Sequence, residues 1–303
     1  MQTLTALLAQ RQVVLDGGFA TELEARGYDL RDSLWSARLL RDDPQAIEDV
    51  HVSYFEAGAD VAITSSYHAT LEGFEARGID RDEGARLLRL SVELAQRARE
   101  RTGGTGLVAG SVGPYCVVWA DGTEYTGDYA RATDEQIATT QRARIEQLVA
   151  AGSDLIAMET IPNGREAGIA AELLAEIPEV EAWVSFCCRD GEHLSDGTPI
   201  GEAIRSAGRT DRVAAFGINC TPPQHINSLL QAAGEATDAP LLVYPNHGRV
   251  WDGATYTWSG VGVDRFPPDV VEQWRGLGAR AIGGCCGIGP EAIAELAHAQ
   301  RAA

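Results

Sequence analysis

Apolar residues gather in eight runs of strand length, at 12–16, 60–66, 107–112, 154–160, 182–188, 214–220, 241–246 and 279–285. Between them lie stretches at 44–57, 82–101, 134–151, 165–177, 223–233 and 290–301 where apolar positions return every three or four residues, the spacing that predicts a helix with one buried stripe. Strand and helix therefore alternate along the chain. Most of the runs are apolar on both faces, as parallel strands covered by helices require. The phrases AGADVAI, AGSDLIA and LGARAIG repeat one joint, a helix end, a glycine and a strand start. Eight such units in 303 residues match a single (β/α)8 TIM-type barrel spanning 1–303, with an open doubly wound sheet as the alternative.

Polar positions favour the barrel by where they fall. Asp16, Ser65, Ser66, Glu159, Cys188, Cys220, Asn246 and the Cys285-Cys286 pair stand at the carboxyl ends of their runs, the face on which barrels build active sites. The connection after the third strand, 113–128, carries Pro114, Tyr115, Trp119, Tyr125 and several glycines. It is long enough to fold over that face as a lid.

Composition narrows the chemistry. The formal charge of −19 argues against a nucleic-acid partner and tolerates small cationic ligands. All 25 basic residues are arginine, so a Schiff base, a pyridoxal phosphate anchor and a P-loop lysine are excluded. The first residues lack a basic segment followed by a long apolar stretch, and no run approaches the ~20 residues of a membrane helix. A soluble, cytoplasmic protein with no membrane partner is expected, and in a reducing cytoplasm its six cysteines are expected as metal-bound, catalytic or buried.

Three of those cysteines read as ligands. Cys220 ends Ile218-Asn219-Cys220, and Cys285 and Cys286 stand within Gly283-Gly284-Cys285-Cys286-Gly287. Thiolates favour zinc or an iron cluster, and three protein ligands leave one position open for water or substrate. In a barrel, the sixth and eighth strands flank the seventh and bring the three together, provided the last strand ends before the pair; a disulfide or inert burial is the competing reading. Cys187 and Cys188 read as core, and Cys116 is weakly informative. Among the histidines, His68 and His247 follow strands, and His51 lies mid-helix, read as solvated or capping.

Asp16-Gly17-Gly18 follows the first strand, where main-chain amides at a helix start suit a substrate carboxylate, although an ordinary tight turn accounts for it equally well. Glu159 can hold a substrate ammonium or pair with Arg165 or Arg189. Aromatic faces that could receive a cation are Trp35, Tyr115, Trp119 and Tyr125.

Taken together, DGGFATELEARG, LWSARLL, AGADVAITSSYHAT, GSVGPY, ADGTEYTGDY, METIPN, SFCCRDGEHLSDGTP, GINC, VYPN and GGCCG cover essentially the whole chain. In these segments the chain resembles the homocysteine S-methyltransferases, most closely the branch that uses S-methylmethionine. The resemblance implies a (β/α)8 barrel binding Zn2+ through Cys220, Cys285 and Cys286. It implies homocysteine bound by Asp16, Gly17, Gly18, Glu159 and Asn246, and a methyl group taken from S-methylmethionine or S-adenosylmethionine. The alternatives are a betaine-dependent enzyme and a non-enzymatic zinc- or redox-sensing thiol protein. His247 and Arg249 depart from the VYPNSGE pattern of close relatives, and Cys116 stands where relatives often carry glycine, which bears on donor choice and leaves the metal assignment intact.

Overall fold

The computed structural model describes residues 2–30, 34–177, 180–252 and 257–301, with the side chains at 35, 250–252, 257 and 258 outside that description. Ten strands are present among these residues: β1 Val13–Val14, β2 Val61–Ile63, β3 Leu107–Val112, β4 Leu155–Ile161, β5 Glu181–Phe186, β6 Val213–Asn219, β7 Leu241–Tyr244, β8 Val250–Asp252, β9 Thr257–Ser259 and β10 Ala279–Ile282. Eight of them form a parallel sheet in the order β1-β10-β7-β6-β5-β4-β3-β2. A parallel bridge between Leu15 and Val61 joins the two edges, so the sheet closes into the expected barrel. The hairpin β8–β9 was not expected from the sequence; it is a short antiparallel insertion between β7 and β10.

Alternation sorts the side chains. Leu107 and Ala109 of β3, Leu155 and Ala157 of β4, Trp183 of β5, Ala215 of β6 and Leu242 and Tyr244 of β7 pack in one cluster inside the barrel. Their neighbours Val108, Val112, Ile156, Met158 and Val184 join the larger cluster beneath the surrounding helices. Leu4, Leu7 and Leu8, on one face of the helix Leu4–Gln10, belong to the inner cluster and are 1–2% exposed. That helix plugs the amino-terminal end of the barrel.

The repeated joint has a physical basis. Gly58, Gly152 and Gly278 all take a left-handed φ, at 97°, 81° and 99°, which a residue with a Cβ adopts at a cost. Two residues on, Asp60 accepts the amide of Val14 and Asp154 that of Val108, so each closes the start of a neighbouring strand. Arg11 and Arg99 pair with these carboxylates. In the third copy Arg280 takes that place and donates to Leu8 O of the plugging helix at 2.7 Å.

Candidate active site

Following the inward-facing positions of each strand toward its carboxyl end, apolar residues give way to polar ones. Ser111 continues Leu107 and Ala109, Glu159 continues Leu155 and Ala157, and Cys285 continues Ala281. Glu159 and Cys285 reach a cavity of about 150 Å³ that Asp16, Cys220, Cys286, Tyr244, Glu124 and Tyr125 also help to line.

The three cysteines converge as anticipated. β10 stops at Ile282, so Cys285 and Cys286 lie in the turn beyond it, and both side chains reach the same place. Cys220 lies one residue past β6 with φ 47°, a left-handed conformation that turns its side chain toward the other two. The three Sγ atoms lie within 4.8 Å of one another. Cys286 Sγ is 3.9 Å from Cys220 Sγ and from Cys285 Sγ. Sulfurs around a tetrahedral zinc, with Zn–S near ~2.3 Å, stand roughly 3.8 Å apart, so Cys286 already has the spacing such an ion needs from both partners, and Cys220 and Cys285 reach it once they part. Cys220 and Cys285 are paired as a disulfide with Cα atoms 5.6 Å apart, and only the reduced trio can ligate. Burial pushes the Cys286 thiol up to about 12, so it needs a cation beside it to ionise at neutral pH.

Supports hold these residues from behind. Asn246 donates to Cys220 O at 2.9 Å and accepts from Gly248 N at 2.8 Å, so the structure places it beneath the cysteine loop and outside the cavity wall. Asn219 accepts from Thr160 N and donates to Thr160 Oγ1, at 2.8 and 2.7 Å. Thr160, with φ 60°, follows Glu159 in a conformation that this pair of bonds secures.

Asp16 and Glu159 face the cavity from β1 and β4. Ile63 N donates to Asp16 Oδ2 at 2.7 Å, whereas Oδ1 is buried with no partner. Desolvation raises Asp16 well above the ordinary aspartate value, and Glu159 adds to that by repulsion. Glu159 accepts from Ser111 Oγ, and burial raises its carboxyl to about 7 against the stabilising bonds of Ser111 and Tyr244. Neither arginine proposed from sequence pairs with Glu159: Arg165 pairs with Asp134 and Arg189 with Asp190. Gly17 and Gly18 sit against the cysteine segment, where a Cβ would come within 2.4 Å of Ile288 O or 2.6 Å of Cys285 O. The Gly18 amide donates to Ile288 O, so it is not available to an anion. The amides that follow, of Phe19, Ala20 and Thr21, open the helix Phe19–Ala25 and have no partner within it.

Of the aromatic residues, Tyr125 lines the cavity. Tyr115 and Trp119 pack edge to face with each other and with Tyr129, away from the cavity wall, and Arg131 covers the Trp119 ring at 3.8 Å. The side chain of Trp35 lies outside the described residues. His51 departs from the solvated reading: it is fully buried, its ring 4.8 Å from that of Phe19, and burial lowers it to about 3. Cys116, Cys187 and Cys188 are buried, and desolvation raises all three thiols.

Sequence reasoning missed the buried polar brace behind the 113–128 segment. Arg144, fully buried, donates to Gly113 O at 2.6 Å and Tyr67 O at 2.7 Å, tying the loops after β2 and β3 together. Glu166 accepts from Tyr115 N, Gln141 Nε2 and Tyr129 Oη. The readable signal was Gln141 and Arg144 interrupting the apolar face set by Ile137, Ile145 and Leu148.

Comparison with known proteins agrees with this geometry. The family model for homocysteine S-methyltransferase matches residues 13–300. The Bacillus subtilis homocysteine S-methyltransferase YbgG is 46% identical, covering 94% of this chain and 93% of its own. The Escherichia coli homocysteine S-methyltransferase is 47% identical, covering 97% of each. Crystal structures of the E. coli homocysteine methyltransferase MmuM superpose with TM-scores of 0.88 for the oxidised form and 0.86 for the metallated form, each at 45% identity. They cover 99% and 97% of this chain, and 100% and 98% of their own. With a closed barrel, three converging cysteines and near full-length similarity, the chain belongs to the homocysteine S-methyltransferase family, enzymes of the methyltransferase class.

Proposed function

We propose that residues 1–303 act as one homocysteine-binding barrel that moves a methyl group from a sulfonium donor, S-methylmethionine or S-adenosylmethionine, to the thiolate of homocysteine, giving methionine. The observation that carries the reading is the convergence of three cysteine sulfurs on one wall of a cavity whose other wall holds Asp16 and Glu159. Zinc held by Cys220, Cys285 and Cys286 would supply a soft Lewis acid that keeps a substrate thiol ionised at neutral pH.

The chain's own groups do the rest. The unpartnered Asp16 Oδ1 and the Glu159 carboxyl receive the substrate ammonium, and the leading amides of the helix Phe19–Ala25 its carboxylate. Tyr125 and the loop after β3 serve as a lid that excludes water. No arginine lines the cavity among the described residues. Betaine carries its carboxylate on the carbon beside its cation and would face these acidic groups uncompensated, which favours a sulfonium whose carboxylate lies farther along the chain. A cytoplasmic location belongs to this reading; among the described residues no helix is long and apolar enough to cross a membrane.

The test is to offer homocysteine with S-methylmethionine, S-adenosylmethionine and betaine in turn to reduced protein, follow methionine, and measure bound metal. About one zinc per chain is expected, with turnover on a sulfonium; Cys220→Ser loses metal and turnover together. Full turnover in a metal-free preparation overturns the mechanism.

A further inference from the structure

One carboxyl side chain lines the cavity without a use in homocysteine binding. Glu124 lies in the turn Thr123–Tyr125 and lines the cavity together with Ala120, Gly122 and Tyr125. Among the described residues no cation pairs with its carboxyl; burial raises it above the ordinary glutamate value, its own backbone amide offsets part of that, and the negative Asp121 adds to it. Glu124 shares this cavity with Cys220, Cys285 and Cys286 of the sulfur wall. A half-buried carboxylate with no cation beside it, open to a cavity, is short of one positive charge.

The turn is fixed in place. Ser195 Oγ donates to Glu124 O at 2.9 Å, and Asp121 accepts from the Thr123 amide and hydroxyl at 3.2 and 2.5 Å. Arg131 pairs with Asp121 and covers Trp119. Ala120 and Gly122 hold left-handed φ values of 50° and 80° on either side of Asp121. The carboxylate is therefore presented by a pinned turn and needs little reorganisation when a charge arrives.

We propose that Glu124 receives the positive charge of the methyl donor and makes this site select an onium compound over a neutral one of the same shape. This rests on the functional reading above. The cysteine wall holds the substrate sulfur from one side, so the donor must approach from the other, the side the loop closes. In the transfer, a lone pair of the substrate thiolate forms the new bond to the methyl carbon, and the donor's carbon–sulfur bond breaks with its electron pair staying on the donor sulfur. Cation and anion become two neutral thioethers, with no proton or further reactant involved. Glu124 therefore stabilises the donor more than the transition state, in which the positive charge is already fading. It acts on donor affinity; it does not accelerate the chemical step.

The test uses the zinc-loaded, full-length chain with Glu124→Gln and Glu124→Asp. Calorimetry compares a trimethylammonium analogue of the donor, which holds its methyl groups, with the neutral tert-butyl compound of the same shape. The native protein should prefer the cation by roughly tenfold or more, and Glu124→Gln should lose that preference while Glu124→Asp keeps part of it. In turnover, Glu124→Gln should raise donor KM roughly ten- to a hundredfold with kcat unchanged or higher and homocysteine affinity intact. Equal loss of affinity for the cation and its neutral counterpart would mean a packing role and overturn the proposal. So would a fall in homocysteine affinity with donor KM unchanged, which would assign Glu124 to the substrate amine. A native protein that prefers the cation yet methylates no homocysteine would sink the functional reading and leave this one standing.

Discussion

Glu159 shows how one side chain couples folding to binding. Its carboxyl, raised to about 7 by burial against an ordinary 4.5, holds its proton more tightly folded than unfolded. Its contribution to stability is therefore fully present below pH 4.5 and is lost as pH rises through about 7. Without ligand, Glu159→Gln should match the native protein at low pH and exceed it in thermal stability above pH 7, as melting curves across that range will show. The same substitution should weaken homocysteine binding roughly ten- to a hundredfold by removing a charged acceptor for the ammonium. Cys220, Cys285, Cys286, Asp16 and Glu159 were legible because each ends an apolar run, so strand polarity alone sends them to one face. Glu124 and Arg144 were not: one lies in an irregular loop and the other on a helix, and only tertiary packing brings Glu124 to the cavity and Arg144 behind the loops that frame it. The Gly17-Gly18 pair suits an anion site and an ordinary tight turn equally well in the sequence, and only the structure adds the close packing against Cys285 and Ile288 that leaves no room for a Cβ at either position.

Among the elements, the helix Leu4–Gln10 stands apart. Its Leu4, Leu7 and Leu8 follow helical spacing, but a seven-residue helix outside the strand–helix alternation carries little weight in a sequence before its partner surface is known. Packed into the barrel floor, it completes the inner core. Leu7→Ala should cost about 2–5 kcal/mol in denaturant unfolding. Because Leu7 lies at the opposite end of the barrel from the cavity, KM for both substrates should stay unchanged in the folded fraction. The helices over 44–57 and 290–301 were legible to within a residue or two, since a proline opens each and Asp43 caps the first. The β8–β9 hairpin was not, because its three-residue strands are too short to show a period.

At the scale of the whole molecule, a net charge of −19 on a chain of 303 residues implies self-repulsion that folding concentrates. Added sodium chloride should raise the unfolding temperature as screening shortens the reach of that field, and a flat response between low salt and 1 M would show that the surface arginine–carboxylate pairs already offset it. The barrel also separates its ends from its chemistry. The helix Leu4–Gln10 lies beneath the strands, and the last turn of Pro290–Arg301 reaches the same end, where Gln300 bonds to Gln12 O and Arg301 lies against Gly58. A surface, tag or fused partner attached at either end would lie against the closed floor and leave the open mouth toward solution. Immobilisation through either terminus would thus orient every molecule alike, with substrates arriving from the free side.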